Sequence, residues 1–381
     1  MTMVSSGPIS LAGTATSGGL NRSIEVELGG SGTSTISLNN SNVRTLAGVP
    51  SGAISLSNFY GKSNRKTISY TFSSTTINAA LNLSALSGYV AGLSDITITI
   101  NSGVYLYSTN VVYHGLTITG GTTGDTLTII NNGYIMGLGG DGSSCDTTLP
   151  SLFFDASPGG PALAVAVGIS SCTIDTRSGY IGGGGGGGGW GQAIKSNAGG
   201  GGGAGGGKGG YINFPSASPP VYVAGAVGGG PGSSGSNGVS DGIWEVMGGA
   251  GGRIMPGTTT SGVTSTSSTL VVGLGGQGGG SGAAGAGSNG WTISSGSGGG
   301  GSSAGGTGAI TVDPGSGGSS SGGGGGGYGA SGGNGLYKEY AGPTYGNYGF
   351  GAPGGNAVDL YGNSVTWTGG FPSSRVFGAV I

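Results

Sequence analysis

Few side chains in this sequence could do chemistry. Histidine occurs once, as His114 in VVYHGLTIT, between two stretches that alternate like strands. One imidazole and two cysteines, Cys145 and Cys172, fall short of the four nitrogen or sulfur ligands of a structural zinc site. No GxSxG elbow in a strand–turn–helix context accompanies the many serines, so no catalytic triad is indicated. His114 therefore reads as a solvated or hydrogen-bonded turn residue. The carboxylates are scattered: Asp95, Asp125, Asp141, Asp146, Asp155, Asp175, Asp241, Glu245, Asp313, Glu339 and Asp359. None forms a recognisable acid/base pair along the chain, so a glycosidase would need a pair assembled only in space. DGSSCD (141–146) is rich in oxygen donors but lacks EF-hand spacing and its closing glutamate, and reads as a polar loop rather than a calcium site. The two cysteines are expected to be idle thiols in a chain made in a cytosol, with a disulfide left open. The expectation is no enzyme, no metal and no cofactor.

What remains is recognition by surface. Five segments bring aromatic and apolar residues between runs of glycine: WGQAIKSN (190–197), YINFPSASPPVYV (211–223), DGIWEVM (241–247), NGWTISS (289–295) and YKEYAGPTYGNYGF (337–350). Aromatic side chains offer large contact areas at low entropic cost and stack on sugar faces. The candidate receptor-binding residues are Tyr211, Phe214, Tyr222, Trp244, Trp291, Tyr337, Tyr340, Tyr345 and Tyr348. The competing reading makes such aromatics buried clamps, and it is preferred for Trp190, which directly follows eight glycines.

The elements that must hold these loops are built largely from glycine. The chain has 381 residues, 100 of them glycine, most between Ile181 and Gly355. Eight run unbroken from Gly182 to Gly189. Collagen is excluded, because it needs glycine at every third position with proline between, and proline numbers only 14. GxGxxG matches occur here by chance and outside a strand–turn–helix setting, so a phosphate loop is not indicated. A flexible linker would be interrupted by serine or charge rather than tryptophan and tyrosine. The preferred account is a stack of extended three-residue helices, polyglycine II. Such helices have no internal hydrogen bonds and must pair with neighbours, and eight residues span about 25 Å.

Charged residues make up only 6% of the chain and the net charge is −2, which argues against phosphate tracking and hence against nucleic acid. No apolar run approaches the ~20 residues of a membrane span, and MTMVSSGPISLAG lacks the charged and apolar regions of a secretory signal. Membrane insertion is not expected. Residues 1–66 read as a β-rich N-terminal docking module from PISLAGT (8–14), SIEVEL (23–28), TISLNN (35–40) and AISLSNFYGK (53–62). Residues 67–140 read as a β-strand module: TISYTF (67–72), DITITI (95–100), GVYLYST (103–109), LTIT (116–119) and DTLTII (125–130) alternate clearly. INAALNLSALSGYVAGL (77–93), with Ala80, Leu83 and Leu86, is the one helix candidate, ending at Gly88. Residues 141–360 form the glycine-rich tip and 361–381 the closing strands. Two internal repeats cross these boundaries. TIINNGYIMGLGG (128–140) matches TIDTRSGYIGGGG (173–185), and GGPALAVAVGISSCTI (159–174) matches GGNAVDLYGNSVTWT (354–368). Strand pairs thus bracket the glycine segments, as in a solenoid whose coils run out through glycine and return. The fold class expected is mostly β with a stacked polyglycine II sandwich and almost no α-helix.

Glycine runs broken by aromatic loops resemble the distal tail-fibre adhesins of T-even-like bacteriophages. NNGYIMGLGGDG, GGPALAVAVG, SGYIGGGGGGGGWG and NSVTWTGGFPSSRVFGAV look like a glycine-rich module of phage tail-fibre and minor tail proteins, and SGAISLSNFYGKS resembles an N-terminal segment of phage tail proteins. The resemblance implies a virion tail component made in the host cytoplasm. It would attach to other tail proteins through its N-terminal module and bind a host-surface protein or saccharide through its loops. The T-even adhesins have a different N-terminal attachment domain, and their loops do not align with these, so no receptor residue carries over by position. A homotrimer and a monomer are both compatible. The alternatives are a purely structural tail or baseplate protein, and an ice-binding or extracellular glycine-rich scaffold.

Overall fold

The computed structural model describes residues 3–13, 22–146, 152–169, 171–193, 196–198, 202–214, 221–225, 227–230, 273–274, 319–321, 325–338, 345–347 and 349–381. Its centre is a parallel β-solenoid of five rungs and three faces. The first rung is β1 (Lys66–Phe72), β2 (Thr76–Ile77) and β3 (Ala79–Asn82). The second is β4 (Ser94–Ile100), β5 (Tyr105–Tyr107) and β6 (Leu116–Gly120). In the third, β7 (Thr126–Asn131) and β8 (Tyr134–Met136) are followed by an excursion carrying β9 (Ser144–Asp146) and β10 (Leu152–Phe154), before the chain returns as β11 (Leu163–Val167).

The fourth rung repeats the device. β12 (Ser171–Asp175) and β13 (Tyr180–Gly182) lead into a long excursion and back to β22 (Val358–Asp359). The excursion carries β14 (Gly191–Ala193), β15 (Ser196–Ala198), β16 (Ile212–Phe214), β17 (Val221–Val223), β18 (Gly273–Leu274), β19 (Ser319–Ser321), β20 (Leu336–Lys338) and β21 (Tyr345–Asn347). β23 (Val365–Trp367) and β24 (Val376–Phe377) make the fifth rung. The faces are the sheets β1-β4-β7-β12-β23, β2-β5-β8-β13-β24 and β22-β11-β6-β3.

Period-two alternation builds the core. β4 alternates buried and half-buried along its length, so Ile96, Ile98 and Ile100 point inward. In register, Ile96 lies beside Leu127 and Leu127 beside Cys172, while Ile98, Ile129 and Ile174 form the neighbouring ladder. The second face contributes Leu106, Ile135, Ile181 and Val376, and the third Leu116, Ile118, Leu163 and Val165. Both sequence repeats are adjacent rungs of this ladder. Thr128 and Ile129 pair with Thr173 and Ile174, Tyr134 and Ile135 with Tyr180 and Ile181, Leu163 with Val358, and Thr173 with Thr366. Asn131, fully buried at the corner between β7 and β8, donates to Thr176 Oγ1 and the Tyr180 carbonyl and accepts from the Gly133 amide, all at 3.1 Å. One side chain thereby satisfies a turn in two rungs.

Several expectations are corrected. The 77–93 segment is not a helix. Ala79, Leu81 and Leu83 are buried at period two, and the strand ends in a 3-10 turn, Leu83–Ala85, whose cap Asn82 accepts from Ser84 N at 3.0 Å. Asn78, at φ 47°, turns the corner that a helix would run through. Among its described residues the N-terminal module is helical rather than β-rich. It holds α1 (Ile24–Glu27), α2 (Ser41–Ala47) and a 3-10 turn, Leu56–Phe59, around Met3, Ile24, Val43, Leu46, Ala47 and Phe59. SIEVEL alternates in sequence, yet Glu25 and Glu27 are as buried as Ile24, and Glu27 Oε1 accepts the Asn64 amide at 2.9 Å. A carboxylate bound to backbone is what the alternation pattern misreads as an exposed strand position. In α2, Val43, Leu46 and Ala47 share a face, and Gly48 at φ 73° closes the helix. The solenoid also takes β11, β12, β13 and β22 from within residues 141–360. The glycine-rich part is therefore two insertions into a β frame rather than a separate block.

Around the octaglycine, backbone hydrogen bonds of 2.7–3.0 Å repeat every third residue. Gly182, Gly185 and Gly188 accept from Gly137, Gly140 and Ser143. Gly184 and Gly187 donate to Gly160 and Ser157 and accept from Gly355 and Ala352. Gly186 and Gly189 donate to Ala330 and Gly333, while Gly183 and Gly186 accept from Gly329 and Gly326. Both excursions leave at the corner after the second face, and Met136 and Phe377 of that face pack with Ala204 and Tyr328 of the glycine segment. Trp190, 3% exposed, ends the run, and its carbonyl accepts from Gly349 at 3.0 Å.

Candidate functional site

The aromatic hairpin grows from DGSSCD. That segment is not a free polar loop: Ser143 bonds the octaglycine through its amide, and Ser144–Asp146 forms β9. β9 pairs with β10 on one side and β16 on the other, and β16 turns back into β17. Two side chains fix the register. The Tyr211 amide donates to Ser144 Oγ at 3.0 Å, and Asn213 Nδ2 reaches both oxygens of Asp146 at 3.2 Å. The rings of Phe154 and Tyr211 lie 6.1 Å apart, and those of Tyr211 and Tyr222 6.3 Å apart. Phe154 is 46% and Tyr222 67% exposed, so this row presents apolar area to solvent. Phe154 comes from the first excursion and was not singled out in the sequence, where LFF lies ahead of the long glycine runs that mark the five aromatic segments.

The structure brings Tyr211 and Tyr222 together and puts Phe214 on β16 between them in sequence. Tyr337 and Tyr345 fall on the paired strands β20 and β21, in the sheet β18-β19-β20-β21, away in sequence from the first hairpin. Trp244, Trp291, Tyr340 and Tyr348 lie outside the described residues. A second aromatic row follows the outer side of the second solenoid face. Tyr105 stacks on Tyr134 at 4.5 Å, Tyr134 on Tyr180 at 5.8 Å, and the Arg375 guanidinium sits 4.8 Å from the Tyr180 ring centre. Burial raises the Tyr105 phenol above its ordinary value, with Tyr134 adding to it. These rings are half-buried and stack on one another, which is a frame role. For Tyr134 and Tyr180 the signal was the repeated GYI; Tyr105, from GVYLYST, occupies the same ladder position.

Charged groups serve the frame as well. Arg65 donates to Asp95 Oδ2 at 2.7 Å, to the Ser94 carbonyl at 2.9 Å and to the Gly124 carbonyl at 3.0 Å, strapping consecutive rungs. His114 Nε2 lies 2.7 Å from Asp359 Oδ2, and Asn356 holds the other oxygen at 2.8 Å. Among the described residues no group of three His, Cys, Asp or Glu side chains could hold a metal ion, and no helix is long and apolar enough to cross a membrane.

A family model, phage tail fibre adhesin Gp38, matches residues 66–286. The chain belongs to this family of phage tail fibre adhesins. Membership places the adhesin on the virion tail, and the match starts at the first strand of the solenoid, leaving the helical N-terminal module outside it. Among solved structures, the gp37-gp38 adhesin tip complex of the bacteriophage S16 long tail fiber aligns at 17% identity and a TM-score of 0.35, covering 94% of this chain and 96% of that one. No curated protein matches the adhesin.

Proposed function

We propose that this tail fibre adhesin recognises a host cell-surface protein or saccharide, by binding without catalysis, through aromatic loops carried on a polyglycine II lattice. The observation that supports this most directly is the three-residue repeat of hydrogen bonds around Gly182–Gly189. A polyglycine II bundle requires that period, and its glycine faces let neighbouring runs approach on every side. Such a lattice is stiff, so the hairpin bearing Tyr211 and Tyr222 is held before it meets a partner, which lowers the ordering cost of each contact. Several copies on a virion would add avidity. The N-terminal module, with six buried core residues and outside the family match, is suited to docking on other tail proteins. Its state of association, monomer or homotrimer, is open to sedimentation analysis.

The rival reading makes the adhesin a structural tail component whose exposed aromatics contact neighbouring subunits. Both are tested with fluorescently labelled full-length protein on a bacterial panel that includes the host, comparing wild type with Phe154→Ser/Tyr222→Ser. Selective binding to host cells, reduced at least tenfold in the double variant, is expected. Wild-type protein that binds no cell on the panel would favour the structural reading.

A further inference from the structure

We propose that a cleft between the second solenoid rung and the glycine segments is a separate saccharide-binding site. It encloses about 430 Å³, within the range of about 300–1,000 Å³ typical of small-ligand pockets. One wall is the corner after β5, with Tyr107, Ser108 and Asn110; the other comes from both excursions, with Asp141, Ser157 and Lys208. This wall is held in place. Asp141 Oδ1 accepts the Lys208 amide at 2.9 Å, and Gly142 donates to the Lys208 carbonyl at 2.8 Å. Across the cleft, Asn110 Oδ1 accepts the Val112 amide at 3.0 Å, which points its NH2 group away from that bond as a donor.

The lining selects the ligand class. One ammonium and one carboxylate, not paired with each other, leave the cleft without net charge, which disfavours a phosphate or other polyanion. Hydroxyl, amide and carboxylate groups share the lining with the apolar Val111 and Leu138, the Tyr107 ring and glycine backbone, a mixture that suits a ligand with both hydroxyl groups and C–H faces. Gly139 and Gly229 line it too, and both are buried. A pyranose matches these groups: ring and hydroxyl oxygens to accept from Asn110 and Lys208, hydroxyl groups to donate to Asp141 Oδ2, and C–H faces to pack on Tyr107, Val111 and Leu138. The ligand class is an uncharged surface saccharide.

This site is independent of the aromatic hairpin, and its test separates the two. Saturation-transfer NMR on the full chain, with millimolar di- and trisaccharides of glucose, galactose and N-acetylglucosamine, reads binding directly. At least one is expected to give a signal that falls fivefold or more in Asn110→Ala and in Gly230→Tyr. Gly230 lines the cleft and has nothing within 4 Å of where a side chain would begin, so bulk is introduced there without displacing backbone at the Cβ. The hairpin variant Phe154→Ser/Tyr222→Ser is expected to leave the signal unchanged. Silence of every saccharide with wild-type protein, or a signal that survives Gly230→Tyr, would overturn the proposal, as would one lost only in the hairpin variant.

Discussion

Gly186→Ala separates a packed glycine lattice from a glycine-rich linker by the size of its effect. Gly186 donates to Ala330 at 2.9 Å and accepts from Gly326 at 2.8 Å. A methyl added to its Cα would fall on the Ala352 carbonyl oxygen, with the carbonyl carbon of Ala352 at 2.6 Å and the Pro353 oxygen at 2.7 Å. All three are backbone-bound atoms that cannot swing aside like a side chain. Relief requires the 349–355 run to move off the octaglycine, which strains the bonds Ala352–Gly187 at 2.9 Å and Gly355–Gly184 at 2.7 Å. Overpacking costs about 1–3 kcal/mol, and each buried backbone group left unpaired about 1–3 kcal/mol. With one backbone group left unpaired the expected loss is on the order of 2–6 kcal/mol, a large part of the roughly 5–15 kcal/mol that holds a domain together. In a flexible linker the same change would restrict the native and the unfolded chain alike and leave stability near wild type. Gly230→Ala is the control, since nothing lies within 4 Å of its added methyl. Scanning calorimetry of the full chain should show Gly186→Ala unfolding at clearly lower temperature and Gly230→Ala near wild type. A Gly186→Ala variant as stable as wild type would refute the lattice argument.

Two further outcomes follow from the frame. The hydrogen bond from Arg65 holds the Asp95 carboxyl below its ordinary value of 3.8, against the opposing effect of burial. A carboxyl with a lowered folded pKa stabilises the native state above its unfolded pKa and loses that contribution as pH falls through the folded value. The melting-temperature gap between wild type and Asp95→Asn should therefore be widest above about pH 5 and narrow toward acid; a gap constant with pH would count against it. Burial pushes the Cys172 thiol up to about 12. Peptide mapping after iodoacetamide at pH 8 should find Cys172 unmodified in native protein and alkylated in denaturant, and native labelling would show that the core ladder beside Leu127 opens.

Much of this architecture was legible because a parallel ladder puts like residues side by side. The repeats 128–140 with 173–185 and 159–174 with 354–368 are neighbouring rungs, and the alternating strands from 67 to 130 lie where their pattern put them. The N-terminal helices were not legible, since α1 spans four residues and buries two glutamates, against both periodicity and polarity. The aromatic row was half legible: Tyr211 and Tyr222 stood out, whereas Phe154 joins them only through β9 and β10.

From the sequence alone came the strand periodicity, the repeats that become rungs, the poverty of charge and the glycine runs interrupted by aromatics. These are local properties, written in side chains. Which glycine meets which was decided only in three dimensions. Gly184 bonds Gly160 and Gly355, partners far apart in sequence, and no side chain distinguishes them from other glycines. Backbone groups are identical along such a run, so the pairing is set by where the rungs release and recover the chain.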